Sequence, residues 1–452
     1  MSTTLIPTLP PIDHKPKDYD GPSYEEVLEM RQTWVNQGVF MYYKNPLLLA
    51  EGHMQYVWDH EGKRYLDGLA GICTVSVGHC HPEVVAALSD QASRIQHAPT
   101  IYLHSKIGQF AKLLTSTLPD KLTRVYFVNS GSEANDLALL MARLYTGNYD
   151  AIALRNAYHG GNIAGMGMTS HSTWKYNLPS VQGVHHAKAP YPFRGPWGME
   201  DPQAGEKYAD DVEDLIRFGA PGKVAAFIAE SIQGVGGSVE FPPGYLKAAY
   251  AHARNAGGVC IADEVQSGFG RTGTHFWGFE TQDADPDIVV MAKSIANGFP
   301  LAAVVTTDEI ASTLKDRIHF NTFGGDPLAM AQGLKTLEIM LRDDTQGLCK
   351  IIGDRIVDGL CGLQDKHPLI GEVRGRGLML GIELVKDQDS KEPATQEAAE
   401  FMERTRELGL LVGKGGLYGN TIRIKPPMCL TEADADFLIE VFDVALEQIE
   451  SN

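Results

Sequence analysis

The sequence predicts an α/β fold: a large domain built on a mostly parallel sheet between helices, followed by a smaller α+β C-terminal domain. Three observations predict it. Short, nearly continuous apolar runs alternate with helical patterns through the middle of the chain, as in a parallel sheet covered on both faces. Beyond Pro327 the pattern changes to long helices with few strands. The length of 452 residues is too great for one core, at roughly 150 residues per domain.

The elements follow in order. Residues 1–22 are Pro-rich and aperiodic and read as an arm. A short amphipathic helix is expected from Tyr24 to about Asn36. Tyr56–Trp58 and Arg64–Leu66 flank Asp-His-Glu-Gly as a hairpin. Pro82, after Gly78-His79-Cys80-His81, suits the first position of a helix that reaches about His97. Strands are expected over Arg124–Val128, Ala151–Leu154, Ala225–Ala229, Val259–Ala262, Ile288–Met291 and Ala302–Thr306. Helices are expected over Glu133–Tyr145, Tyr245–Asn255 and Glu309–Leu314. The C-terminal part reads as helices Leu328–Leu341 and Lys350–Leu363, strand Leu378–Leu384, helix Gln396–Leu408, strand Thr421–Ile424 and helix Glu432–Ile449. Three segments result: 1–75, an arm and a segment contributing to the small domain; 76–330, the large domain; and 331–452, the small domain.

Composition narrows the function. The net charge of −18 argues against nucleic acid or an anionic membrane as partner, because either needs a basic patch. No apolar run reaches the roughly 18 residues of a membrane span. The first thirty residues lack both the apolar core of a secretory signal and the basic character of a transit peptide, which points to the cytoplasm. The six cysteines are scattered without a C-x-x-C pair, so reduced thiols are expected and no metal site. The 47 glycines exceed the usual ~7% and imply many backbone positions with positive φ or close approach.

Ligands of open α/β sheets bind outside the carboxyl ends of the strands. At the first such end, Asn129-Ser130-Gly131-Ser132-Glu133 opens a helix whose free N–H groups suit a phosphate. The plainer reading is a serine cap with Glu133 complementing the dipole. At the second, Val259-Cys-Ile-Ala-Asp263-Glu264 resembles a magnesium-holding strand end. A nucleotide hydrolase also needs G-x-x-x-x-G-K-[ST], and no Gly-Lys here is followed by Ser or Thr. At the third, Lys293 follows an apolar strand and precedes small residues; partial desolvation lowers a lysine's pKa and makes it a Schiff-base nucleophile. The plainer reading there is a lysine snorkelling at a strand end. Gly268-Phe-Gly270-Arg-Thr-Gly273 matches G-x-G-x-x-G but opens no helix, so it reads as a loop.

Taken in order, Ser130-Gly-Ser-Glu-Ala-Asn, Tyr158-His-Gly160, Glu230-Ser-Ile-Gln-Gly, Asp263-Glu-Val-Gln, Lys293, Thr322-Phe-Gly-Gly and Arg423 resemble the class III pyridoxal-phosphate aminotransferases. The similarity runs from about residue 25 to 450. Ser76-Val-Gly-His-Cys-His-Pro82, Phe193-Arg-Gly-Pro-Trp-Gly198 and Arg423-Ile-Lys-Pro-Pro-Met-Cys-Leu-Thr431 resemble the alanine–glyoxylate aminotransferase 2 branch. The resemblance implies fold type I with a seven-stranded type of sheet, and pyridoxal 5'-phosphate as cofactor. It implies that Lys293 carries the cofactor and moves the proton between substrate and cofactor carbons, while Asp263 pairs with the pyridine nitrogen. Ser130, Gly131 and Ser132 would meet the phosphate, with Thr322 reaching in from a neighbouring subunit. Tyr158 and Val265 would cover the two ring faces, Gln266 would bond near the phenolic oxygen, and Glu230 matches a structural acid beneath. Arg423 would take the substrate carboxylate in a two-point fork. Tyr42 matches a substrate-contact position.

Two departures shape the substrate. Ornithine- and 4-aminobutyrate-type relatives carry a glutamate that masks the arginine; here the loop is Gln233-Gly-Val235-Gly-Gly237. Ile72 stands where ornithine-type enzymes have a tyrosine, which argues for a plainer pocket. Ser231 replaces the proline of the usual Ala-Glu-Pro, with little catalytic effect expected. The implied reaction is a ping-pong transamination from alanine, β-alanine, 3-aminoisobutyrate or a 4-aminobutyrate-like donor to glyoxylate or pyruvate. The implied assembly is a homodimer or dimer of dimers with a shared site. An aminomutase or decarboxylating transaminase of the same fold is the alternative; a silent binding protein is a remoter one.

Overall fold

Seven strands form the central sheet of the computed structural model, which describes residues 6–177 and 183–451. Across the sheet they lie in the order Arg124–Val128, Ala302–Thr306, Ile288–Met291, Val259–Asp263, Ala226–Glu230, Ala151–Leu154 and Val184–Ala187. Ala302–Thr306 is antiparallel to both neighbours, with Ala303 opposite Phe127 on one side and Met291 on the other. The remaining pairings are parallel. Six strands therefore point one way, and their carboxyl ends share one edge.

Burial explains why these runs are strands. Val259–Asp263 and Ile288–Met291 are buried at every residue, and their side chains alternate between two apolar layers. Ile261, Val290 and Val304 face Leu137, Ala138 and Met141 of helix Gly131–Thr146. On the other face Phe227, Cys260 and Val289 meet a larger core that includes Tyr250 of helix Tyr245–Asn255 and Leu337 of helix Pro327–Arg342. Val184–Ala187 and the helices Ser105–Thr115 and Ala204–Asp214 complete this layer set and were not among the expected elements. The expected helix Glu309–Leu314 is a short helix, Asp308–Ser312, running on into a 3-10 turn, Thr313–Asp316.

Two smaller sheets stand beside the large one. The hairpin strands Leu49–His53, Tyr56–Asp59 and Arg64–Asp67 are extended by Leu410–Leu411, which pairs parallel to Arg64–Asp67. The N-terminal hairpin thus shares a sheet with the C-terminal part. Ile370–Arg376, Met379–Leu384, Thr421–Ile424 and Gly413–Gly415 form an antiparallel sheet against the helices Thr345–Gln364 and Thr395–Glu407.

One connection carries strain. Ala70, Gly71, Ile72 and Cys73 all have φ between +53 and +66 degrees, a left-handed turn that costs about 1–2 kcal/mol for each residue other than glycine. Asp67 pins its start by accepting from the N–H of Leu69 and Ala70, and the Ser294 hydroxyl pins its end by donating to the Cys73 carbonyl. The strained turn therefore rests on the residue that follows Lys293. Among the described residues no helix is long and apolar enough to cross a membrane.

Candidate active site

A cavity of about 370 Å³ opens at the carboxyl edge of the large sheet. Five strand ends contribute to it: Ser130, Gly131 and Ser132 after Arg124–Val128, Tyr158 after Ala151–Leu154, then Glu230, Asp263 with Val265 and Gln266, and Lys293. These expected residues come from positions up to 163 apart in the chain and are brought together by parallel topology alone.

At one end the cavity meets the first turn of helix Gly131–Thr146. The plainer reading holds for Ser130, whose hydroxyl accepts from the Glu133 N–H at 3.2 Å as a helix cap. Glu133 in turn accepts from the Asn129 N–H at 2.7 Å. The N–H groups of Gly131 and Ser132 have no acceptor among the described residues, and both residues line the cavity. Two free donors at the positive end of a 16-residue helix make an anion site. Gly160 completes it: at φ +124 degrees, a Cβ there would lie 2.5 Å from the Ser132 hydroxyl, so only glycine lets the loops approach.

In the depth of the cavity Asp263 is 3% exposed and bonded through both carboxylate oxygens. One carboxylate oxygen accepts from Asn135 Nδ2 at 2.8 Å and from His159 Nδ1 at 2.7 Å; the other accepts from the Val265 N–H at 3.1 Å. Asn135 and His159 stand inside quoted motifs yet received no role from the sequence. The signal was there in principle: both are polar residues in segments that otherwise read as buried. Glu230 lies beneath, accepting from the N–H of Tyr158 at 3.0 Å and of Gly234 at 2.7 Å, and burial pushes its carboxyl above the ordinary carboxylate range. Thr74, from the strained turn, also lines the cavity without having been foreseen.

Lys293 opens a one-turn 3-10 helix directly after its strand, at φ +49 degrees. It is half-buried, and its ammonium has no hydrogen-bond partner among the described residues. The adjacent pair Asp263-Glu264 divides by strand alternation. Asp263 faces the cavity, while Glu264 turns into the scaffold and accepts from the N–H of Gly278 and Phe279, both at 2.8 Å. The Ser231 hydroxyl also donates to Glu264, which gives the exchange of proline for serine a structural use.

Four expected residues lie outside the lining. Arg423, 5% exposed, donates to the carbonyls of Lys414 at 3.1 Å and Gly234 at 3.3 Å and to the Tyr42 hydroxyl at 3.4 Å. The structure thus joins Arg423 to Tyr42, and no carboxylate pairs with this guanidinium among the described residues. Ile72 is half-buried in the left-handed turn, and Thr322 is exposed. Sequence reasoning passed over Lys425. It is wholly buried behind Gln266, and burial pushes its amine down to about 7.

The residues fit one cofactor. Two free helix N–H donors suit a phosphate, a buried carboxylate suits a protonated ring nitrogen, and an unpaired lysine suits a carbonyl carbon. Comparison with known proteins agrees. The family described as aminotransferase class-III matches residues 41–446. The chain is 50% identical over 441 residues to alanine–glyoxylate aminotransferase 2 homolog 2, mitochondrial, of Arabidopsis thaliana, covering 98% of this chain and 91% of the relative. It is 44% identical over 468 residues to the human mitochondrial alanine–glyoxylate aminotransferase 2, covering 99% and 91%. Among solved structures, a PLP-bound amine transaminase from an uncultivated Pseudomonas species superposes with a TM-score of 0.85 at 31% identity, covering 89% of this chain and 95% of that one.

Proposed function

The chain belongs to the class-III aminotransferases and is a pyridoxal 5'-phosphate-dependent transaminase, and from that premise we propose that it moves the amino group of alanine or a small ω-amino acid to glyoxylate or pyruvate. The cofactor, when bound, supplies an electron sink for negative charge at the substrate's reacting carbon. The N–H groups of Gly131 and Ser132 would hold its phosphate, with Thr322 of a neighbouring subunit reaching the same group. Asp263, held by Asn135 and His159, would keep the ring nitrogen protonated. Tyr158 and Val265 would cover the ring faces, while Glu230 fixes the backbone of Tyr158 and Gly234. Gln266 would donate to the phenolic oxygen. Lys293 Nζ would hold the cofactor's carbonyl carbon at rest and, once displaced by the donor's amine, would take the proton from the donor's α-carbon and deliver it to the cofactor's carbonyl carbon.

Arg423 supports the substrate class. Its partners are two backbone carbonyls and the Tyr42 hydroxyl, all neutral. An incoming carboxylate replaces weak acceptors with a charged, two-point pair and has no resident anion to displace. That favours direct binding of the carboxylate of alanine and of glyoxylate. The smaller segment boundaries, 1–75, 76–330 and 331–452, put the cofactor's ligands chiefly in the second and the carboxylate's in the third.

We also read the protein as a homodimer or dimer of dimers, since Thr322 points to solvent among exposed apolar residues. We place it in the cytoplasm, a reducing compartment that suits six unpaired cysteines; the names of the two relatives place those proteins in mitochondria. Product analysis tests the reaction. Alanine and glyoxylate should give pyruvate and glycine in equal amounts, whereas carbon dioxide release or isomerised amine without net transfer would replace the reading with a decarboxylating enzyme or an aminomutase.

A further inference from the structure

The mechanism leaves a buried lysine unused. Lys425 lies two residues beyond Arg423, is 0% exposed and has no carboxylate partner among the described residues. Its Nζ donates to Gln266 Oε1 at 2.9 Å and to the Gly234 carbonyl at 3.2 Å. The charged and titratable groups that face it are Cys73, Arg423, Glu230 and Lys293. Burying a lysine without a counter-ion is costly, and burial accordingly pushes the amine down to about 7. Near neutral pH a donor-only ammonium is therefore still populated.

What Lys425 touches is the cavity wall. Gln266 lines the cavity, and its carbonyl oxygen is turned away from it, toward Lys425 Nζ and Cys73 Sγ. Its amide nitrogen has no partner among the described residues. The two ends of an amide have nearly the same shape, so sterics do not choose between them. An ammonium chooses, because it accepts nothing and admits only the oxygen. Gly234 packs against the face of the amide: a Cβ there would lie 2.3 Å from Gln266 Cδ and 2.4 Å from both Nε2 and Oε1, so only glycine admits the side chain, and the choice of end is left to Lys425.

We propose that Lys425 is a positioning residue that holds the Gln266 side chain with its NH2 group facing the cofactor's phenolic oxygen. A flipped amide would set oxygen against oxygen there. This rests on the assignment of Gln266 to that oxygen.

The test is titration of the apo protein with pyridoxal 5'-phosphate, followed by visible absorbance, together with the pH midpoint of the visible band of the loaded protein. Lys425→Met should weaken binding about tenfold, the scale of a hydrogen bond to a charged group, and shift the midpoint. Gln266→Leu should lose a similar amount, and the double variant should bind no worse than Gln266→Leu alone. Gln266→Glu leaves Lys425 in place and presents an oxygen to the cavity, so it should bind more weakly than Gln266→Leu; this comparison decides the matter if Lys425→Met does not fold. Wild-type affinity and midpoint in Lys425→Met, multiplied losses in the double variant, or Gln266→Glu binding as well as Gln266→Leu would overturn the proposal. Failure of the wild-type apo protein to take up the cofactor would instead overturn the transaminase reading itself.

Discussion

In the proposed function Arg423 and the residue at 235, where the masking glutamate of ornithine-type relatives would fall, set substrate choice one side chain at a time. Val235 is held by its own backbone, whose carbonyl accepts from the Gly416 N–H at 3.0 Å, so a larger side chain there projects from a fixed loop. Val235→Glu should give Arg423 a resident anion and raise KM for alanine by about tenfold, given coupling energies of at least ~1.5 kcal/mol for close charge pairs. Steady-state kinetics on alanine and β-alanine check this, and an unchanged preference would mean that position 235 does not reach Arg423. At this scale the residues that line the cavity were legible in the sequence, since Ser130, Glu230, Asp263 and Lys293 stand at or just beyond the ends of apolar strands, where topology places ligands; Thr322 is exposed and outside that lining. The supports were not legible. Asn135 and His159 meet Asp263 from 128 and 104 positions away, and Lys425 meets Gln266 from 159, contacts that only folding creates.

Elements follow the same division. Strands such as Ile288–Met291 and Ala302–Thr306 read directly because both faces are buried and every residue is apolar or small. Val184-His-His-Ala187 did not, since two histidines interrupt its apolar run at the sheet's edge. Ile370–Arg376 was hidden by its glycines and charges, although it pairs along most of its length with Met379–Leu384. The left-handed turn at Ala70–Cys73 had no sequence signal beyond Gly71, because three of its four residues disfavour that backbone. The edge strand also carries a pH dependence. Burial pushes the His186 imidazole from its ordinary 6.5 down to about 4. Between those values the unfolded chain binds a proton that the folded strand refuses, so stability present above pH 6.5 is lost as the pH falls toward about 4. His186→Gln should flatten the fall in melting temperature over that window; a slope identical to wild type would show that another group controls it.

The whole molecule is an anion for which anionic ligands are proposed. Its net charge is −18, and the proposed function gives a phosphate and two carboxylates the first turn of one helix, Lys293 and Arg423. A helix dipole and Lys293 at the cavity, with Arg423 beside it, supply positive groups locally whatever the global charge, while that charge speaks against nucleic acid as a partner. Assembly belongs to this scale too. Leu103 and Ile318 are fully exposed, Ile101 and Phe323 largely so, and the two segments are tied by His104 bonding to the Gly325 carbonyl at 2.8 Å. A surface of this kind needs cover, and Leu103→Asp should give a monomer by sedimentation with little activity, whereas an active monomer would remove the shared site. Everything proposed for the site turns on Lys293 as the lysine that carries the cofactor. Borohydride reduction of the loaded protein followed by peptide mapping tests it most directly: the reduced cofactor should be found on Lys293, and its recovery on Lys425, the buried lysine behind Gln266, would contradict the assignment.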